Sequence, residues 1–241
     1  MTIQTWANDG GWFMDIWYSM AKSLVRMYLS LFTEGIVISG QERIFAGPKI
    51  IIANHTYVTD AFVLPIIFTE KLHFLIQEST FHLPLIGRLL ALADQIPVRL
   101  GQGREALRAA RERLRWGHVV VIFPEGRLNH GEGLRRAGSG AVWLALETGA
   151  PLLPLGIYVP PDFVWRIKAR LQRRITLGAW QMRGELFVRI GEPWLLPARD
   201  AAECGYRALR DLTNNLMARV ASLVQQAQEL ARRSAENILH Q

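Results

Sequence analysis

The segment Asn54-His55-Thr56-Tyr57-Val58-Thr59-Asp60 places an imidazole and a carboxylate five residues apart. On a continuous helix each residue turns ~100°, so the two side chains would lie about 140° apart and could not meet. They meet only if His55 sits in a turn and Asp60 in the opening turn of a following helix, where the macrodipole favours negative charge. A carboxylate on one ring nitrogen fixes the tautomer and leaves the other nitrogen as a general base. No G-x-S-x-G nucleophile elbow occurs, so this base would act on a hydroxyl brought by the substrate. A loop histidine with a helix-capping aspartate would leave the same spacing.

A second constellation is Phe123-Pro124-Glu125-Gly126-Arg127. Pro124 stiffens the exit of a strand, and Gly126 permits a backbone angle closed to other residues. Glu125 and Arg127 are thereby delivered to the strand end. A fixed guanidinium can hold a phosphate in bidentate fashion, with a neighbouring carboxylate to orient it. A surface ion pair in a turn would read the same way. Gly131 to Gly140 continues as a glycine-rich, basic approach to the next helix. Arg99 closes the strand Gln95 to Arg99 and is expected on the same sheet edge as His55 and Arg127. The remaining histidines (His73, His82, His118, His130 and His240) lack the paired spacing of a metal site, so no metal is expected.

These residues need a scaffold that gathers strand ends, and the patterning supplies one. Strand patterns at 48–53, 72–76, 95–99, 119–123 and 152–158 alternate with helix patterns at 60–69, 85–92, 105–116 and 139–148. Such alternation predicts an α/β fold, a mostly parallel sheet flanked by helices, with ligands at the carboxyl ends of its strands. Phe13, Ile16, Trp17, Met20, Leu24, Met27, Tyr28 and Leu31 recur at steps of three and four, predicting an amphipathic N-terminal helix. Its apolar face suits either a bilayer interface or packing on the core. A long C-terminal helix is expected from Ala201 to about Leu239. The chain therefore divides into an N-terminal amphipathic, membrane-interface helix (1–34), an α/β domain (35–198) and a C-terminal helix packed on it (199–241).

Composition narrows the classes. Half of the 241 residues are hydrophobic and 20% are charged, which excludes a disordered chain and allows a sizeable core. The single cysteine, Cys204, excludes a disulfide framework and fits a reducing compartment. A net charge of +7 suggests an anionic partner. Residues 163 to 190 hold seven Arg or Lys against Glu185, most of that excess. The N-terminus lacks the basic, then apolar, order of a signal peptide, and no window reaches the ~18 apolar residues of a spanning helix. A protein that is soluble or lies on a membrane, without crossing one, is expected.

The ordered set N-H-x4-D, F-P-E-G-R and Ala150-Pro151-Leu152-Leu153-Pro154-Leu155 resembles the glycerophospholipid acyltransferase family, that of 1-acylglycerol-3-phosphate acyltransferases. The resemblance covers about residues 48 to 160. It implies transfer of a fatty acyl group from a thioester, acyl-CoA or acyl carrier protein, to the hydroxyl of a lysophosphatidic-acid-like acceptor in phospholipid biosynthesis. By position it makes His55 the base and Asp60 its orienting partner. It gives Arg99, Glu125, Gly126 and Arg127 to the acceptor phosphate, and Asn54 and Pro154 to the acceptor or donor pocket. No cofactor beyond the thioester co-substrate is implied, and the place of action is the cytoplasmic face of the cell membrane, peripheral or monotopic. The chain departs from the family at two points. Arg127 follows Gly126 directly, where the family often has Thr or Ser between them, and Gln77-Glu78 stands where it often has Lys-Glu.

Three other readings share parts of this pattern. Gly101-Gln102-Gly103-Arg104-Glu105-Ala106 mimics a dinucleotide fingerprint, with Glu125 as its ribose-binding acid. The preceding strand carries Pro97 and Arg99 rather than a buried apolar run, which speaks against it. Arg104, Arg108, Arg111, Arg113 and Arg115 would suit a nucleic acid, yet no known binding motif accompanies them, and the same basic face suits an anionic bilayer. No nucleic acid partner is expected. A thioesterase would use His55 on water, leaving the phosphate-holding residues without purpose.

Overall fold

Three consecutive isoleucines fill the middle of the central strand, and the sheet's two faces explain why. The computed structural model describes residues 11–171, 174–198, 201 and 203–239. In chain order the elements are α1 (Gly11–Phe32), β1 (Gly35–Ser39), β2 (Lys49–Ala53), α2 (Asp60–Ile67), β3 (Leu72–Gln77), α3 (Glu78–Phe81), α4 (Ile86–Leu92) and β4 (Ile96–Val98). There follow α5 (Gly103–Arg115), β5 (Val119–Ile122), α6 (Gly140–Thr148), β6 (Leu152–Tyr158), β7 (Val164–Leu171), β8 (Arg174–Gln181), β9 (Glu185–Ile190) and α7 (Gly205–Leu239). Every residue of β2 is buried. Successive side chains of a strand point to opposite faces. Thus Ile50 and Ile52 join Val120, Ile122, Leu152, Leu144, Leu146 and Val220 on the face covered by α5, α6 and α7. Ile51 and Ala53 join Val121, Leu153, Val63 and Leu64 on the face covered by α2.

The sheet has seven strands in the order β1-β9-β6-β2-β5-β3-β4. All neighbours run parallel except β6 and β9. The carboxyl ends of β6, β2, β5, β3 and β4 therefore share one edge. The expected α/β architecture is the observed one, with additions. The basic run 163–190 forms β7, β8 and β9, and β1 pairs with β9; no strand is expected there from the sequence. Residues 1–10, which carry the start of the expected N-terminal segment, lie outside the described residues, as do Arg173 and residues 199–200 at the expected domain boundary.

One close approach locks the C-terminal helix down. A Cβ on Gly156 would lie 2.2 Å from the backbone of Leu223, so α7 crosses β6 at a point that only glycine allows. Pro154 lies in the same strand, where the neighbouring β9 has just ended. Its carbonyl accepts the Gly191 N–H at 2.8 Å, and the return bond is the one that proline cannot make.

Helix α1 uses its two sides differently. Its inner side bonds main chain of the domain: Lys22 Nζ donates to Phe68 O at 3.0 Å and the Tyr18 hydroxyl accepts the Leu72 N–H at 3.1 Å. On the outer side Ile16, Met20, Leu24, Met27 and Leu31 form a stripe 48% to 68% exposed; α1 also touches α4, at whose start Leu85 and Ile86 are exposed. The packing role is thus met along one side, and the other side keeps an apolar stripe exposed. Among the described residues no helix is long and apolar enough to cross a membrane.

Candidate active site

His55 leaves the end of β2 and Asp60 begins α2, the turn-to-helix geometry their spacing demands. His55 Nδ1 lies 3.5 Å from Asp60 Oδ2. That carboxylate oxygen also accepts the N–H groups of Thr56 at 2.5 Å and Tyr57 at 2.8 Å. The turn thus wraps its own carboxylate, and Asp60 is held by backbone rather than by rotamer preference. Neither Nδ1 nor Asp60 Oδ1 has another partner among the described residues. The Asp60 side chain is 1% exposed and the His55 side chain 19%. One ring edge therefore faces a fixed carboxylate while the residue keeps access to the outside. Phe123, at the end of β5, stacks on the imidazole with centroids 4.1 Å apart and planes 14° apart. The stacked ring restricts rotation of the imidazole and shields one face of it.

Glu125 does not occupy the position expected for it. It is buried, and its two oxygens are filled from inside the protein. The His55 N–H donates to Oε1 at 2.9 Å, Asn129 Nδ2 reaches both oxygens at 3.2 and 3.1 Å, and the Arg135 N–H donates to Oε2 at 2.8 Å. An anion brought to that carboxylate would meet a like charge with no donor to spare. Glu125 is accordingly a clasp that fastens the loop after β5 to the turn after β2, and it does not orient Arg127. The same arrangement removes it as a ribose-binding acid. Asn54 is corrected in the same way: its side chain bonds Ile157 twice, Nδ2 to O and N to Oδ1, both at 2.8 Å. It ties β2 to β6 through these bonds. Pro154 sits within the sheet, away from the strand ends.

Arg127 is where a substrate anion could meet it. Gly126 adopts φ 68, which turns the chain out of the strand, and Arg127 is exposed with no ion pair or hydrogen bond among the described residues. Two residues further on, the Asn129 N–H donates to His55 O at 2.8 Å, so the loop runs alongside the histidine. Arg99 shares the edge but stands apart. Its strand β4 is three places from β2, ~14 Å at the usual strand spacing, and its guanidinium pairs with Glu78 at 2.6 Å.

Two participants carry no recognisable sequence signal. Asn129 stabilises the clasp and orders the next turn through Gly131 N–H, which donates to its Oδ1 at 2.9 Å. His130, set aside above with the other histidines, lies beside the site: its N–H donates to Thr56 O at 3.2 Å, and its φ of 56 is uncommon for a residue with a side chain. Only the closure of two loops distant in sequence brings them here. Beneath the loop, burial raises the Tyr57 phenol above its usual range, partly offset by Arg166.

A family model described as "Acyltransferase" matches residues 35–158. A 1-acyl-sn-glycerol-3-phosphate acyltransferase of Borreliella burgdorferi is 29% identical over 150 residues, 61% of this chain and 60% of that protein. A lyso-ornithine lipid O-acyltransferase of Pseudomonas aeruginosa is 34% identical over 119 residues, 48% of this chain and 45% of that protein. The matched segments thus span less than two thirds of either relative's length. The crystal structure of the 1-acyl-sn-glycerophosphate acyltransferase of Thermotoga maritima superposes with a TM-score of 0.61 at 20% identity, covering 95% of this chain and 84% of that one. At that identity the likeness is one of fold.

Proposed function

The chain belongs to the acyltransferase family, and from that premise we propose that it moves a fatty acyl group from a thioester to the hydroxyl of a lysophosphatidic-acid-like acceptor. The observation that carries this reading is the buried Asp60 facing His55 Nδ1 while an exposed Arg127, unpaired among the described residues, stands on the loop bonded to His55. His55 Nε2 takes the acceptor's proton as the acceptor oxygen attacks the thioester carbonyl carbon. The tetrahedral intermediate collapses, its C–S bond breaks, and the leaving sulfur takes the proton back from the imidazolium. Ester and free thiol are the products, and His55 is restored. General-base assistance of this kind contributes ~10²–10⁴-fold. Asp60 holds the ring and favours its charged state during the step. Arg127 grips the acceptor phosphate, a bidentate contact that lysine would not reproduce, with Gly126 giving it its exit angle. Arg99 serves as an outer cation. The cycle uses no cofactor beyond the thioester, carried by coenzyme A or by acyl carrier protein.

The exposed stripe of α1 supports peripheral attachment to a bilayer, where such an acceptor resides. An amphipathic helix of this kind lies in the interface plane with its apolar face among the acyl chains. The surplus of Lys and Arg favours an anionic surface at ~1 kcal/mol per residue near it.

A second acceptor deserves equal weight in the test. The 34% identity to a lyso-ornithine lipid O-acyltransferase, together with the altered spacing around Arg127, supports a lysolipid with a different headgroup as the alternative acceptor. Labelled acyl thioester offered to a panel of lysophospholipids and lyso-ornithine lipid, with products identified by mass, separates the readings. Acylated lysophosphatidic acid is the expected product. Release of free fatty acid without any acylated acceptor would replace transfer by thioester hydrolysis.

A further inference from the structure

We propose that Trp180 is a positioning residue for the catalytic turn, the joint through which α1 holds the His55–Asp60 pair in place; the proposal rests on the acyltransferase reading. Trp180 lies near the end of β8, which with β7 forms a two-stranded sheet separate from the seven-stranded one. A hairpin of two strands is marginal by itself in water, so its base takes its position from what packs on it. Here three rings from three elements meet. Trp180 contacts Tyr28 of α1 at 6.1 Å between centroids and Phe62 of α2 at 5.8 Å, and Tyr28 contacts Phe62 at 5.6 Å, edge to face. Edge-to-face contacts of this kind are directional as well as apolar.

Each of the three elements leads to the reacting groups. Phe62 follows Asp60 by two residues in the same helix. Ala179, beside Trp180, accepts the Val58 N–H at 3.0 Å, and Val58 lies inside the turn between His55 and Asp60. On the other flank, Gln181 O accepts the Tyr28 hydroxyl. Gln181 is fully buried, and its side chain donates to Arg183 O at 3.1 Å and Gly184 O at 3.0 Å. Gly184 O in turn accepts the Glu34 N–H just past α1 at 2.9 Å. The end of α1 is thereby fastened to the base of the hairpin on both sides of the ring cluster, and the hairpin base to the turn. Without the indole the hairpin base has no ring to hold it against α1 and α2 at once, and the Val58 bond loses its backing.

Trp165, directly across the hairpin from Trp180, is 61% exposed and makes no ring contact with the cluster among the described residues, which makes it the control. The full chain on anionic vesicles is compared with Trp180→Ala, Trp180→Phe and Trp165→Ala by kinetics and by amide hydrogen exchange of residues 54–60. Small misplacement of a catalytic group costs up to ~10²-fold, so Trp180→Ala is expected to lose kcat by about 10–100-fold with the thioester KM within about twofold. Exchange at Val58 should quicken, Trp180→Phe should recover most of both, and Trp165→Ala should match the parent. Wild-type kcat and unchanged exchange in Trp180→Ala overturn the proposal. So does a Trp180→Phe as impaired as Trp180→Ala, with loss tracking the melting temperature. If Trp180→Ala does not fold, Trp180→Leu, which keeps apolar bulk without ring edges, is judged by the same two readouts. A parent chain that acylates nothing would sink the acyltransferase reading, while the exchange comparison would still decide the role of the tryptophan.

Discussion

Glu125 Oε1 accepts the backbone N–H of His55 at 2.9 Å, across 70 residues of chain. The bond ties the general base's own backbone to the loop that presents Arg127, so the two halves of the site move as one. Glu125→Gln keeps the shape but turns an acceptor oxygen into a donor facing donors. Hydrogen bonds to a charged group are worth ~1.5–3 kcal/mol, so the melting temperature should fall and kcat should drop. A rise in acceptor KM alone, at unchanged kcat, would return Glu125 to a role against the substrate.

His55→Ala should abolish transfer, a loss of ~10²–10⁴-fold from the general base, with the circular dichroism spectrum unchanged. The imidazole is partly exposed and stacks on Phe123 at the rim of the site, outside the two core clusters, so the fold should survive its loss. Unaltered turnover in this variant would remove the proposed base.

Arg127→Ala should raise the acceptor KM about 10-fold or more and leave the thioester KM alone, since a charge-assisted contact of ~1.5–3 kcal/mol is lost from binding. Arg99→Ala should do less, because Arg99 already spends its charge on Glu78. A thioester KM that rises while the acceptor KM stays put would reverse the assignment.

Stability should decline in mild acid through His73. Desolvation depresses this buried imidazole from its ordinary value of 6.5 to about 4, against the raising effect of the Asp94 carbonyl, which lies 2.9 Å from its Nδ1. The folded state therefore binds fewer protons than the unfolded one between those values. The contribution is present above pH 6.5 and is lost as pH falls towards 4. Urea midpoints measured from pH 7 to pH 4 should fall more steeply in the parent than in His73→Phe. Equal slopes would assign the acid sensitivity elsewhere.

A charge in the exposed stripe should detach the protein from lipid without unfolding it. Leu24→Glu and Met27→Glu alter side chains that are 50% and 55% exposed and lie away from the inner bonds of Lys22 and Tyr18. Co-sedimentation with anionic vesicles should drop while the melting temperature holds. Undiminished sedimentation would confine α1 to the scaffold.

The alternation of strands and helices, the His–Asp spacing and the F-P-E-G-R turn are local properties of the sequence. Period and spacing alone decide which residues share a face or leave a strand together. From these the α/β class, the gathering of strand ends at one carboxyl edge, and the placement of His55, Asp60 and Arg127 at that edge were legible before any contact was known. The amphipathic stripe of α1 was legible as well, though not which part of it would stay exposed. What the tertiary structure decided was the direction of each remaining side chain. Glu125 and Asn54 have the composition of ligand-binding residues, yet the approach of distant N–H groups and of β6 turned both inward, because buried polar atoms must be satisfied by whatever the fold brings within reach. Asn129, His130 and Trp180 acquired their places by the same route. Chain topology set their neighbours, and no spacing along the sequence encodes a contact that two loops make only after the sheet has closed.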